Sequence, residues 1–464
     1  MNKGFGMQQS EEIAGNTCRW ELAGANEVLA LFEALERNCS TYCVLAGYDT
    51  LPDKPLSDID FMVSAKSFGT LPEVLAVVAK QLNMRLVQYL RHETSACFYV
   101  LAGFEDGCLT ILQADSAADY RRHGRIWLLA DDVLARRRKH PRGFWIPAPA
   151  DAFLYYLVKR LDKRNFLADH GAYLSRLYQE DPTGCECLLT RFWSKHSGLH
   201  LSHAASTCEW TEIIERTDQF ATDLIHHPKV YRDTGHSLTE SVRRLARVLH
   251  PTGILVTCLG PDGVGKSAVI AGMQHTLRQC FRRTDLFHFR PRLLEGTAAG
   301  REFTTQPHKR EPRSYCGSIV KLLFLFSDYW LGYWVRVRPL LVRSSLVVFD
   351  RYFDDVIVDP WRFRVRQLTQ LTSAISKGIP APDIVFVLNA PPDAVHDRKQ
   401  ELNISEIARQ QAAYLEIAEK PGRRYTQLID ASQPLDCVIE QCCAVVLEYM
   451  EMRTARRLHI NPEL

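Results

Sequence analysis

Gly260-Pro261-Asp262-Gly263-Val264-Gly265-Lys266-Ser267 reads G-x-x-x-x-G-K-S. Glycines at this spacing let successive backbone N–H groups wrap a polyphosphate, and a following helix N-terminus favours the bound anion. Lys266 would place a positive charge at the β/γ-phosphates of ATP, and the Ser267 hydroxyl would ligate Mg²⁺. Gly260, Asp262, Gly263, Val264 and Gly265 are the remaining candidate contacts. A second candidate group is Asp350-Arg351-Tyr352. A carboxylate at the end of a parallel strand stands where open α/β sheets bind ligands. Asp350 could join the Mg²⁺ shell or accept a proton, and Arg351 could hold an anionic acceptor through paired hydrogen bonds. A third group is Asp58-Ile59-Asp60. In a strand, residues i and i+2 share a face, so Asp58 and Asp60 would converge on a cation.

These groups need elements to hold them. Gly253–Leu259 is an apolar run before the glycine loop, and Ser267–Met273 continues as a helix, which is the strand–loop–helix context the motif requires. Further strands are expected at Asp285–Arg290, Leu346–Asp350, Ile384–Asn389 and Thr426–Asp430, alternating with helices, which implies a five-stranded, mostly parallel sheet over residues 251–464. Residues 1–149 mix both periods. A helix is expected at Glu27–Arg37 and another at Leu71–Leu82, with strands at Tyr42–Ala46, Ile59–Val63, Leu86–Tyr89, Ala96–Leu101 and Cys108–Gln113. Residues 150–250 are helical in pattern, and Ser237 with Glu240 has capping-box spacing for a helix ending at Leu249. Pro251-Thr252-Gly253 breaks the chain between the helical segment and the glycine-loop region. The fold class is therefore α/β, with an α+β region first.

Composition narrows the partners. The chain has 464 residues, with 57 Lys+Arg against 54 Asp+Glu, so its charge gives no argument for general nucleic-acid binding. The 14 cysteines lack zinc-ligand spacing, and polar residues follow Met1, so reduced thiols in a cytoplasmic protein are expected. Ile319–Val335 is apolar and aromatic, but Lys321 and Asp328 interrupt it; a buried or amphipathic helix is favoured over a membrane span, with peripheral membrane contact left open. A homodimer is compatible with this class.

The glycine loop with Asp350-Arg351-Tyr352 resembles the thymidylate kinase branch of nucleoside monophosphate kinases, as does Pro382–Pro392 with its apolar strand. The resemblance covers about residues 253–455. It implies that ATP donates its γ-phosphate to an anionic small-molecule acceptor, a nucleotide or a sugar or glycan precursor. It also implies a lid between Arg398 and Arg409 whose arginines neutralise the migrating phosphoryl group, and places Tyr414 and Asp430 on the family's later helix and last strand. After Tyr352 the chain departs from the family: Phe353–Arg362 replaces its nucleoside-reading residues. With His288–Pro291, Pro307-His308 and the aromatic Ser327–Trp330, this resembles divergent thymidylate kinase-like proteins found with bacterial surface-polysaccharide genes. Arg290, His308, Arg336 and Arg338 are candidate acceptor contacts.

Gly47-Tyr48 followed by Asp58-Ile59-Asp60 resembles the nucleotidyltransferase fold of the polymerase-β type over about residues 20–235, with Tyr48 in place of the family's Ser. The resemblance implies two Mg²⁺ ions, with Asp115 as the third carboxylate and Tyr120–Arg125 facing phosphates. Three readings follow: a phosphotransferase; a metal-dependent nucleotidyltransferase at the first site, alone or beside the kinase; and a non-enzymatic ATP-binding scaffold, against which Lys266, Ser267, Asp350 and Arg351 all argue.

Overall fold

The structure, a computed structural model, describes residues 19–39, 41–122, 125–226, 234–294, 311–400, 402–419 and 425–460. His308, the opening residues after Met1, His123-Gly124 and the side chain of Ser237 lie outside the described residues.

The first sheet holds β1 (Arg19–Leu22), β2 (Tyr42–Val44), β3 (Ile59–Val63), β4 (Arg85–Glu93), β5 (Ala96–Glu105) and β6 (Cys108–Ala117). Its order is β2-β3-β6-β5-β4, with β1 joining β6. β1 and β3 run parallel to β6, while β2–β3, β4–β5 and β5–β6 are antiparallel, so the sheet is mixed. Two-residue alternation sorts its side chains. Leu86, Tyr99, Leu101 and Leu112 face α1 (Ala25–Asn38) and α2 (Ala65–Gln81), whose Leu31, Leu35, Leu71 and Val78 share their core. Val87, Val100, Leu109 and Ile111 face the other way.

Two small ribbons follow, β7 (Tyr120–Arg122) with β8 (Arg125–Leu128) and β9 (Arg138–Lys139) with β10 (Trp145–Ile146), with α3 (Ala130–Arg136) between them. A helical block comes next: α4 (Pro149–Lys163), α5 (Ala168–Glu180), α6 (Pro182–Phe192), α7 (Lys195–Thr207), α8 (Thr211–Glu215), α9 (Thr217–His226) and α10 (Thr234–Leu249). Buried Phe153, Leu157, Leu161, Leu174, Leu177 and Leu189 give α4 to α6 a common core. The helix expected to be capped at Ser237 begins earlier, at Thr234. Glu240 instead reaches across to Thr94, whose hydroxyl donates to it at 2.6 Å.

The second sheet is wholly parallel, in the order β12-β13-β11-β14-β15: β11 (Ile254–Leu259), β12 (Arg283–His288), β13 (Ser345–Asp350), β14 (Ile384–Asn389) and β15 (Tyr425–Asp430). Its three inner strands, β13, β11 and β14, are largely apolar and buried because helices cover both faces, whereas the edge strands β12 and β15 carry polar residues and are partly exposed. On one side lie α11 (Lys266–Thr276) and later helices; on the other lies α12 (Tyr315–Gly332), which passes through a π-helical turn into α13 (Arg338–Val342). The strand expected at Asp285–Arg290 ends at His288, since Phe289 turns to positive φ. The remaining helices are α14 (Asp354–Val358), α15 (Thr369–Ser376), α16 (Pro392–Arg398), α17 (Ile404–Glu419) and α18 (Leu435–Leu458).

The last helix serves both sheets. Ile439, Cys442, Cys443, Val446 and Met450 of α18 share one core with Val256 and Ile270 of the second sheet's layer and with Val87, Val100 and Ile111 of the first. Its polar groups follow suit: the Thr454 hydroxyl donates to Val87 O at 3.1 Å, while Arg453 donates to Thr252 O and Gly253 O at 2.6 and 2.9 Å.

Candidate active site at the glycine loop, and an acidic cluster

β11 delivers the glycine loop to the C-terminal edge of the second sheet. Gly260 and Gly263 have φ of +145° and +90°, conformations that L side chains rarely adopt. A Cβ on Gly263 would stand 2.9 Å from Val395 O, and one on Gly260 2.7 Å from Leu388 O, so both positions also exclude a side chain on space. Gly265 caps α11, with Lys266 and Ser267 in its first turn. Lys266 is buried, and its ammonium donates to Gly260 O and Pro261 O at 2.8 Å each. Desolvation and the neighbouring Arg351 pull its pKa down to about 8.

Asp262 points inward to a cation cluster, pairing with Arg351 and Arg362 and lying 3.9 Å from Lys266. Burial alone would raise its pKa, but Arg351, Lys266 and Arg362 hold the carboxyl well below the usual range. Arg351 follows β13 at φ +74°, a strained conformation for a residue with a Cβ. Its backbone N–H donates to Cys258 O at 3.1 Å, and its guanidinium donates to Asp355 at 2.6 Å. Asp355 in turn accepts from the Tyr414 hydroxyl at 3.0 Å. Arg351 is thus fastened on two sides by carboxylates, which differs from the expectation of an arginine reaching out to an acceptor.

Asp350, at the end of β13, lies 3.2 Å from His288 Nδ1 through Oδ2. Burial works to raise its pKa, yet His288, Lys266 and Arg351 hold it below its ordinary value. Its Oδ1 is buried with no hydrogen-bond partner, which fits a carboxylate built to take a cation.

Beside this network lies a cavity of about 490 Å³ lined by Val356, Asp359, Trp361, Leu368, Thr372 and Arg409 among others. Arg409 of α17 donates to Val358 O at 3.1 Å and pairs with Glu406. Arg398 ends α16 next to Lys399, whose Cβ would meet a side chain on Gly263, so the segment adjoins the loop; its guanidinium lies 3.4 Å from Ala431 O.

Other expected acceptor contacts are structural in this fold. Arg290 pairs at 2.8 Å with Asp328, which is fully buried and also accepts from the backbone N–H groups of Arg292 and Leu294. Arg336 donates to Pro291 O, and Arg338 to Val248 O and Leu249 O. In each case a guanidinium satisfies carbonyls or a carboxylate left by a chain turn. The sequence reading passed over Arg362 as a partner of Asp262 and Asp355 as a partner of Arg351. Both lie in the stretch after Tyr352, where the pattern carries no family signal.

In the first sheet, ligand oxygens of Asp58, Asp60 and Asp115 all lie within 4.8 Å of one another. Asp60 and Asp115 are register partners across β3 and β6, and Asp58 stands just before β3. Desolvation and mutual repulsion raise the pKa values of Asp58 and Asp115. Lys159 of α4, absent from the sequence reading, donates to Asp60 at 2.6 Å and to the Tyr155 hydroxyl at 3.0 Å. Sequence gives no sign of that approach, since it depends on how α4 crosses the sheet. Tyr48 is buried, with its hydroxyl accepting from that of Tyr173 at 2.8 Å.

An α/β protein with a phosphate-binding glycine loop at the edge of a parallel sheet is the class that fold and site define. No family model matches the chain. It is similar to thymidylate kinases: 26% identical to that of Chlorobium chlorochromatii over 231 residues, covering 45% of this chain and 98% of that protein. The thymidylate kinase of Leifsonia xyli subsp. xyli is 28% identical over 197 residues, covering 40% of this chain and 90% of that protein. That of an Exiguobacterium species is 24% identical over 218 residues, covering 43% and 97%. A region similar to thymidylate kinases therefore accounts for somewhat under half of the chain. Among the described residues no helix is long and apolar enough to cross a membrane.

Proposed function

We propose that this protein is an ATP-dependent kinase of the thymidylate kinase type, acting on a nucleoside monophosphate or a closely related anionic acceptor. The observation that carries the reading is the buried Lys266 ammonium within the glycine loop, held beside Asp350 and Arg351 at one edge of a parallel sheet. The loop N–H groups and Lys266 bind the β- and γ-phosphates, whose oxygens take the ammonium over from Gly260 O and Pro261 O. Ser267 and the partnerless Oδ1 of Asp350 would hold Mg²⁺, which would offset charge on the phosphates. The acceptor occupies the cavity beside Asp359, where half-exposed Trp361 offers a flat ring face to a base and Arg409 offers a charge to its phosphate. An anionic acceptor oxygen forms a bond to the γ-phosphorus as the bond to the β-phosphate oxygen breaks, and ADP leaves. Arg398 and Lys399, adjoining the loop, are placed to balance the charge in transit.

The test is transfer of label from γ-labelled ATP to a panel of dTMP, other nucleoside monophosphates and sugar phosphates. Label should appear on a nucleotide acceptor, and Asp350→Asn should slow transfer by about 100-fold or more. Transfer to sugar phosphates alone, or wild-type ATP turnover by Lys266→Ala, would refute the reading.

The acidic cluster supports a second reading, a divalent-cation site of the nucleotidyltransferase type in the region before about residue 150. The convergence of Asp58, Asp60 and Asp115 favours it. Its test is pyrophosphate release from nucleoside triphosphates that disappears in Asp60→Asn; no release with any triphosphate and acceptor counts against it.

A further inference from the structure

Asp115 stands on the face of the first sheet that turns towards the second. Alternation along β6 puts Leu109, Ile111, Gln113 and Asp115 on one side. Leu109 and Ile111 pack in the core shared with β11 and α18, and the Gln113 amide donates to Gln279 O at 2.8 Å, just before β12. Next along β6, Asp115 lies 3.6 Å from His92 Nε2. The end of β4 that carries His92 is held by α10, whose Arg243 donates to Arg91 O at 2.8 Å. The acidic cluster therefore borders both the chain that enters β12 and the inner side of α10.

Two arginines meet at that border without a carboxylate to balance them. Arg247 of α10 donates through Nε to Val342 O at 2.8 Å, and the Arg282 backbone N–H donates to Ser344 O at 3.1 Å, so the two residues flank one turn. Their neighbours are already paired: Arg243 holds Glu240 at 2.7 Å, and Arg122 holds Glu93 at 3.1 Å. Among the described residues no carboxylate forms an ion pair with Arg247 or Arg282. Desolvation, Arg282 and Arg243 pull the Arg247 pKa down to about 10, as expected of a half-buried cation beside others of its sign. Arg282 is exposed, makes no side-chain hydrogen bond among the described residues, and lies within reach of the Asp115 charge. Cations brought together without a counter-charge are costly. A phosphate group between two guanidinium forks relieves that cost through paired hydrogen bonds.

We propose that Arg247 and Arg282 form a phosphate clamp beside Asp115, so that the ligand handled at the acidic cluster carries a phosphate group gripped by the later part of the chain. The inference rests on the reading of that cluster as a divalent-cation site of the nucleotidyltransferase type. Both arginines lie beyond residue 235, outside the stretch that resembles a nucleotidyltransferase, so the rest of the chain completes the first site. The phosphate has two sources, the nucleoside triphosphate itself or the acceptor. The clamp is separate from the glycine loop. Arg282 precedes β12 at one edge of the second sheet, while the loop follows β11 at the other edge, a six-residue strand or about 20 Å away.

The test is calorimetric titration of the full chain carrying Lys266→Ala, whose glycine loop has lost its ammonium, with inorganic tripolyphosphate and with orthophosphate in Mg²⁺ buffer. At least one of the two should bind, more weakly as salt is raised, and Arg282→Ser on that background should weaken it about tenfold or more. Arg247→Ser should do the same; because Arg247 also closes a main-chain carbonyl, thermal melting checks its fold, and the exposed Arg282 carries the argument if it melts early. Tripolyphosphate binding that also falls in Asp60→Asn assigns the clamp to the triphosphate. Orthophosphate binding that ignores Asp60→Asn assigns it to a phosphate on the acceptor. No binding of either anion, or binding that Arg282→Ser leaves unchanged, would overturn the clamp, even where pyrophosphate release still depends on Asp60. Arginine-dependent binding without any pyrophosphate release would uphold the clamp and remove the nucleotidyltransferase reading instead.

Discussion

Arg351→Ala tests the central network of the glycine-loop site. The substitution removes a guanidinium that is 5% exposed and bonded to two carboxylates. Removing one partner of a buried ion pair costs about 3–5 kcal/mol when the other charge is left alone. Here neither carboxylate is left alone. Asp355 keeps the Tyr414 hydroxyl at 3.0 Å, and Asp262 keeps Arg362, with Lys266 at 3.9 Å. The loss should therefore fall at or below the low end, about 2–3 kcal/mol, with relief of the φ +74° strain recovering little because Ala also carries a Cβ. Urea denaturation of wild type, Arg351→Ala, Asp355→Asn and the double variant gives the cycle. The double variant should lose at least about 1 kcal/mol less than the sum of the singles, because the two residues share one interaction. Additivity within about 0.5 kcal/mol would show that Arg351 and Asp355 do not stabilise one another, and the account of how the loop is braced would fail.

Three further outcomes follow from the same geometry. The Lys266 pKa of about 8 lies below its unfolded value, so the charged form is disfavoured in the fold; the cost is present below pH 8 and is relieved as pH rises from there towards the unfolded value. Phosphate binding needs that charge, so ATP affinity measured by calorimetry should weaken above about pH 8, and Lys266→Arg should flatten the profile whatever its absolute affinity. Asp262 is depressed in the opposite sense to its burial; its contribution to stability is full above the ordinary carboxylate range and is lost as pH falls through its lowered pKa, and Asp262→Asn should make acid unfolding less steep. Asp328→Ala should destabilise by about 3–5 kcal/mol in denaturant titration, because Arg290 and two backbone donors lose their buried acceptor; a loss under about 1 kcal/mol would refute that anchoring role.

The glycine loop was legible because its chemistry is local: residues 260–267 are consecutive, and the strand before them and helix after them carry their own periodicities. The inner parallel strands β13, β11 and β14 were legible for the same reason, as nearly uninterrupted apolar runs. Side chains that meet only through tertiary approach were not. Lys159 is 99 positions from Asp60, and Arg362 is 100 from Asp262; no spacing rule reaches that far. Arginines misled in a consistent way. Arg336 and Arg338 look like anion contacts in sequence, yet a guanidinium serves equally well to close off main-chain carbonyls, and only the fold decides between the two uses. Asp328, read as a charge interrupting an apolar helix, proves to be the point from which the loop after β12 hangs.

The shared helix α18 also sets an order of events during synthesis. Thr454 meets Val87, a partner 367 residues earlier, so the outward face of the first sheet cannot be covered until nearly the whole chain has left the ribosome. Until then β4 to β6 must persist with Val87, Val100, Leu109 and Ile111 uncovered, a nascent state prone to association. Truncations that remove α18 but spare every residue of the glycine loop would therefore uncover the first sheet along with the second.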